Sequence, residues 1–226
     1  MAAGRSARTA GASLGATAGP GLDATAGPTL HPTLGPTVRP TLREALREAT
    51  AAAHRRLDDR LGLHDVATLA GHTGFLAAIG RALLPLEQAL STAGIERLLP
   101  DWAERRRSEA ILSDLRRLGA PDRTLPADAL HADWIDDEAS MLGAAYVLEG
   151  SRLGAALLGR RAARSAEPRI AAGRFLAHGQ GPDLWRGFLA VLDGRPSDPG
   201  EQARACRSAV LSFALFERAA ATGEEG

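Results

Sequence analysis

Leu46-Arg47-Glu48-Ala49-Thr50-Ala51-Ala52-Ala53-His54-Arg55-Arg56-Leu57-Asp58 decides the fold class. The stretch contains no Gly or Pro, and its apolar residues recur at helical spacing. Extended outward, Leu42, Leu46, Ala49, Ala53, Leu57 and Leu61 form one stripe of a helix that Gly62 ends. The same period continues downstream. Asp65 is placed to cap a second helix through Phe75, Ile79 and Leu83, with Pro85 expected to kink or split it. Trp102 to Leu118 reads as a third helix, closed by Gly119 and Pro121. Another is expected from about Asp136 through the Gly150 region to Arg164, and two more around Leu184–Leu192 and Gly200–Ala220. No segment alternates with period two and β-branched residues, so the sequence predicts an all-α, single-domain protein.

Residues 1–39 are expected to be a disordered low-complexity arm. Thr-Ala-Gly-Pro occurs there at Thr17 and Thr25, and Pro-Thr-Leu starts at Pro28, Pro32 and Pro40. Few large apolar groups are available to offset ordering entropy. Its Arg and Ser loosely suggest an organelle transit peptide, but no amphipathic face or secretory apolar region is present. The helical domain is expected over 40–222, with 223–226 as a tail.

The chain has 226 residues and formal net charge zero, which argues against nucleic acid and against an anionic membrane surface as partners. All 27 basic residues are arginine, so any anion clamp must be built from Arg. The single Cys206 permits neither an internal disulfide nor a metal-type cysteine spacing, and a cytoplasmic location is the expectation. No apolar run is expected to reach the roughly 20 residues that span a bilayer.

Two features carry candidate chemistry. His54 shares a helix face with Thr50, Leu57, Asp58 and Leu61, with Arg47 two turns earlier. It reads either as a core histidine bonded to a neighbour or as a metal ligand. Asp58 at i+4 favours the second reading, since an acid on one ring nitrogen leaves the other free. The second feature is Tyr146-Val147-Leu148-Glu149-Gly150-Ser151-Arg152-Leu153-Gly154. A helical glycine costs about 1 kcal/mol relative to Ala, so two on one face need a compensating reason. Either they admit a neighbouring helix, or they let a ligand lie against backbone. Tyr146, one turn earlier, can donate to a ligand carboxylate or simply anchor the helix.

Other residues are weaker candidates. His31 lies in the arm, His64 follows the first helix, and His72, His131 and His178 have no ligand-spaced partner. Asp136, Asp137 and Glu138 are expected to cap the glycine-bearing helix. Arg105-Arg106-Arg107 with Arg116-Arg117 reads as a solvated face. No phosphate loop, nucleophile elbow, or nicotinamide or flavin fingerprint appears.

The chain resembles the bacterial type of biliverdin-producing heme oxygenase. The resemblance rests on Leu46-Arg47-x-x-Thr50-x-x-x-His54-x-x-Leu57-Asp58 and on Tyr146-Val147-Leu148-Glu149-Gly150-Ser151-x-Leu153-Gly154, with Phe213-x-x-Phe216-Glu217 also compatible. It implies a helical bundle holding heme between a proximal helix and a kinked distal helix. His54 would be the iron ligand, oriented by Asp58. Gly150 and Gly154 would lie against the macrocycle, and Arg47 and Tyr146 near its propionates. Some members carry an aspartate after the first glycine; here Ser151, with ordered water, would take over its network. Phe216 cannot hydrogen-bond a propionate as a tyrosine would. Heme would be both cofactor and substrate, consumed with O2 and electrons from an external ferredoxin or reductase. The products would be biliverdin, CO and ferrous iron, serving either iron release or a biliverdin-using photoreceptor as a further partner.

Three other readings compete. One is a heme carrier or sensor on the same fold without turnover. Another is a helical thiaminase-like or cofactor-synthesis enzyme, which would need pocket acids or a nucleophilic cysteine better placed than Cys206. The last is a helical interaction domain, which leaves the glycine pair and His54–Asp58 unexplained.

Overall fold

The first helix opens with a capping box. Glu44 donates its backbone N–H to Thr41 Oγ1 at 3.3 Å, and Thr41 donates its own N–H to the Glu44 carboxylate at 2.8 Å. From that start α1 runs Leu42–Leu61 and ends at Gly62. The computed structural model describes residues 39–120, 131–179, 183–195 and 198–221, all within the unit Arg39–Gly226. The expectations for residues 1–38, for Pro121 and for the 223–226 tail lie outside the described residues. After α1 come α2 (Leu69–Ala93), a 3-10 turn (Ile95–Arg97), α3 (Trp102–Arg105), α4 (Ser108–Leu118) and α5 (Glu138–Ala162). Then follow α6 (Pro168–Ala171), α7 (Leu184–Asp193) and α8 (Pro199–Ala221). Every regular element among the described residues is helical, as expected.

Helix α8 is the spine, packing along α1, α2 and α5. Its inward face of Ala205, Ser208, Ala209, Ser212, Phe213, Phe216 and Ala219 is largely small, which lets α5 approach closely. Ser208 Oγ donates to the Ser140 carbonyl across that contact at 2.6 Å. Helices α1 and α5 both flank α8, and α7 packs against each of them.

Several local expectations are corrected. On α1 the buried face is Leu42, Leu46, Thr50, Ala53 and Leu57, while Ala49 is exposed. Thr50 can go inside because its hydroxyl donates to the Leu46 carbonyl at 2.7 Å. Thr68, not Asp65, caps α2, and the helix continues unsplit through Pro85. By length and composition α2 is also long and apolar enough to cross a membrane, contrary to expectation. Half of its apolar window is buried in the fold, where Leu76, Leu83, Leu86 and Leu90 form core.

The single helix expected from Trp102 is two. Arg106 adopts extended backbone (φ −63°, ψ 136°), and Glu87 of α2 accepts the N–H groups of Arg107 at 2.8 Å and Ser108 at 3.0 Å. A carboxylate from another helix thus starts α4. The break also turns Arg105 and Arg107 inward, so they are not the solvated face expected of them, although Arg106 and Arg116 are exposed. Asp137 does cap α5, in a capping box with Ser140.

Candidate functional site

Each suspect residue has an internal counterpart that shows what the ordinary alternative looks like. His72 is a core histidine: it is 2% exposed, and its Nδ1 lies 2.9 Å from the Val66 carbonyl. His54 is the opposite case. Its side chain is 60% exposed, with Nδ1 2.8 Å from Asp58 Oδ2. The carboxylate accepts from Nδ1–H, which selects the tautomer with a free Nε2 lone pair. The ring leans on Phe213 of α8, centroids 5.8 Å apart.

The glycines separate in the same way. A Cβ on Gly143 would sit 2.0 Å from the Ala205 carbonyl oxygen, so this glycine serves the α5–α8 contact. A Cβ on Gly150 would meet only the Trp185 ring, at an ordinary 3.7 Å, and one on Gly154 would meet nothing within 4 Å. Neither of these two has a positive φ. Close helix packing therefore does not account for Gly150 or Gly154. Gly154 is bare toward space that the described protein does not use, and Gly150 is bordered there only by the Trp185 ring. Leu153 and Leu157, large and apolar, are exposed beside them.

Tyr146 extends this strip. Its ring lies 5.8 Å from Trp185. Burial pushes its phenol above the usual value of 10, opposed by the nearby Arg43 and Arg47 and by the Thr50 hydroxyl. Tyr146 of α5 therefore lies near Arg43, Arg47 and Thr50 of α1. Ser151 is committed elsewhere: its hydroxyl donates to the Leu148 carbonyl at 2.7 Å and accepts from Arg107 at 3.0 Å. Phe216 is buried, and Glu217 pairs with Arg56 at 2.9 Å. Among the described residues no three His, Cys, Asp or Glu side chains cluster as a metal site.

Behind the strip lies a buried ionic network that sequence reasoning missed. Glu149, 0% exposed, accepts from Arg105 at 2.7 Å and from Arg152 at 2.9 Å. Arg105 also pairs with Asp101 at 2.7 Å and donates to the Leu184 carbonyl at 2.9 Å. Arg107 donates to the Leu148 carbonyl at 3.0 Å, while its Nε has no partner among the described residues. Burial, with Arg152 alongside, pushes the Arg107 guanidinium down to about 10, and it stays charged at neutral pH. The signal available was Glu149 itself, an acid between Leu148 and Gly150 on the inward register of an apolar helix.

These residues fit a flat metal macrocycle. A solvent-open imidazole has one nitrogen fixed and the other free, and Gly154 leaves helix backbone uncovered. Apolar side chains and two arginines lie on the same elements.

No family model matches the chain. Over 139 residues it is 34% identical to a heme oxygenase of Xanthomonas campestris, covering 60% of this chain and 80% of that protein. Over 133 residues it is 35% identical to the heme oxygenase PigA of Pseudomonas aeruginosa, covering 58% of this chain and 66% of that one. Among solved structures, the NO- and CO-bound heme oxygenase of Neisseria meningitidis matches with TM-score 0.61 at 21% identity, over 82% of this chain and 92% of that chain. The heme oxygenase of Leptospira interrogans matches with TM-score 0.64 at 16% identity, over 81% and 100%. The structural matches speak to the all-α fold alone. With the sequence relatives beside the histidine and glycine geometry, the chain belongs to the heme oxygenase family.

Proposed function

We propose that this protein cleaves heme oxidatively to biliverdin, CO and ferrous iron, using O2 and electrons from an external donor. The observation that carries the reading is the uncovered backbone at Gly154, one turn from a Gly150 that meets only the edge of the Trp185 ring, and close helix packing requires neither glycine. His54 Nε2 is the iron ligand, and Asp58 holds the ring in that tautomer. Phe213 supports the imidazole from α8. The glycines remove the methyl groups that would hold a ring off the helix. Arg47 and Tyr146 supply a cation and an O–H for propionates. Ser151 acts by tying α5 to Arg107, because its own proton is directed at Leu148. When bound, heme supplies both the redox-active iron and the ring carbon that is oxidised.

The electron donor is a separate ferredoxin or reductase, and the site of action is the cytoplasm. A biliverdin-using photoreceptor is a fitting recipient of the product. The test is an absorption titration with hemin, followed by reductant and O2, on the wild type and His54→Ala. A Soret band that needs His54 and then bleaches to a biliverdin spectrum supports the reading. A stable oxygenated complex that never bleaches overturns turnover and leaves a carrier or sensor.

A further inference from the structure

Helix α7 places an indole at one end of the bare strip on α5. Trp185 Cζ3 and Cη2 lie 3.7 and 3.8 Å from where a Gly150 Cβ would stand, whereas the Gly154 end is uncovered. The ring is held from both sides. Tyr146 meets it at 5.8 Å and 54°, and Phe188, itself fully buried, at 6.0 Å and 30°. Such aromatic contacts favour tilted geometry, so the indole is part of a cluster rooted in the core.

Its distance from Gly150 is fixed by a shared clamp. Arg105 Nη1 donates to the carbonyl of Leu184, the residue before Trp185, at 2.9 Å. The same nitrogen donates to Glu149, the residue before Gly150, at 2.7 Å. One buried guanidinium therefore ties the backbone beneath the indole to the helix turn beneath the glycine. Charge-assisted bonds out of water hold geometry tightly.

We propose that Trp185 is a specificity-determining residue: its indole closes the Gly150 end of the strip, leaves the Gly154 end to the macrocycle, and so selects which meso carbon is opened. Arg105 is the positioning residue that holds the indole there. The inference rests on the heme oxygenase reading above. It follows from sterics alone, since a flat ring lying on α5 cannot share the space of the indole and can only slide or turn toward Gly154.

The experiment compares biliverdin isomers from the wild type, Trp185→Ala and Trp185→Phe, each first checked for helical circular dichroism. Loss of an aromatic contact is expected to change the isomer ratio by about 2- to 10-fold in Trp185→Ala. Trp185→Phe keeps a smaller wall and should shift it less. A second readout needs no turnover. Zinc protoporphyrin, which cannot perform the chemistry, should show a shifted Soret band when bound to Trp185→Ala relative to wild type, because the wall beside Gly150 is gone. An unchanged isomer ratio in a Trp185 variant that turns over would overturn the inference and leave the heme oxygenase reading standing. So would a Soret band of bound zinc protoporphyrin that is the same in Trp185→Ala as in wild type. Absence of hemin binding in the wild type would instead sink the underlying reading, and this inference with it.

Discussion

Replacing Gly154 with alanine should make the ligand-free protein more stable and a poorer binder. Gly154 lies inside α5, away from the positive-φ glycines Gly94, Gly119 and Gly179, and an added Cβ meets nothing within 4 Å. The methyl group therefore adds helix propensity without a clash, a gain of about 0.8–1 kcal/mol. For a helical unit of this size that is a rise of roughly 2–4 °C in Tm. Toward the ligand the sign reverses. A methyl on the surface where a flat ring must lie acts as overpacking, which costs about 1–3 kcal/mol, or a loss of affinity of roughly 5- to 150-fold. Thermal unfolding followed by circular dichroism, with and without hemin, reads both effects. The variant should melt higher alone and show a smaller hemin-induced shift. Gly143→Ala is the contrast, since its Cβ would collide with the Ala205 carbonyl at 2.0 Å and the ligand-free protein should melt lower. A Gly154→Ala protein that melts below wild type, or binds hemin unchanged, would refute the claim that this glycine is kept for a ligand.

Four further outcomes are expected. His54→Ala should leave unfolding free energy within about 0.5 kcal/mol, as for other exposed sites, while His72→Ala should cost about 2–4 kcal/mol through its cavity and lost hydrogen bond; urea titration compares them. Glu149→Ala leaves Arg105 and Arg152 buried without their shared carboxylate and should cost about 3–5 kcal/mol in the same assay. Asp137→Ala should remove about 1 kcal/mol of capping at neutral pH. Burial raises the Asp137 carboxyl, but Ser140 and Arg204 outweigh it and hold it below the ordinary 3.8. The wild-type advantage should thus be complete above that value and shrink as pH falls through the lower folded one, seen as converging Tm values. Tyr146, the only tyrosine, should ionise above pH 10 in the folded protein because burial raises it, and closer to 10 once unfolded. Its contribution to stability is intact below 10 and lost as pH rises through the folded value, which ultraviolet difference absorbance can follow.

Helicity was legible in the sequence because it is a local property. Spacing of Leu42, Leu46, Ala53 and Leu57, the stop at Gly62 and the cap at Asp137 need only near neighbours to be read. So was the suspicion attached to His54, Gly150 and Gly154, since an unusual residue type in a helical pattern is visible one position at a time. What those residues are for was not decided there. Gly143 and Gly154 are both glycines of one helix, and only the position of the Ala205 carbonyl separates a packing glycine from a bare one. His54 and His72 likewise differ by what surrounds them. The arginine run shows the limit most sharply. Three adjacent guanidiniums read as a solvated face until Glu87, from another helix, breaks the chain at Arg106 and turns Arg105 and Arg107 toward Glu149 and Leu148. Trp185 was unremarkable in its own helix and becomes a wall only because Arg105 joins α7 to α5. Periodicity states which side of a helix is apolar. Tertiary structure alone states what stands opposite it, and burial, ionic pairing and ligand space all depend on that.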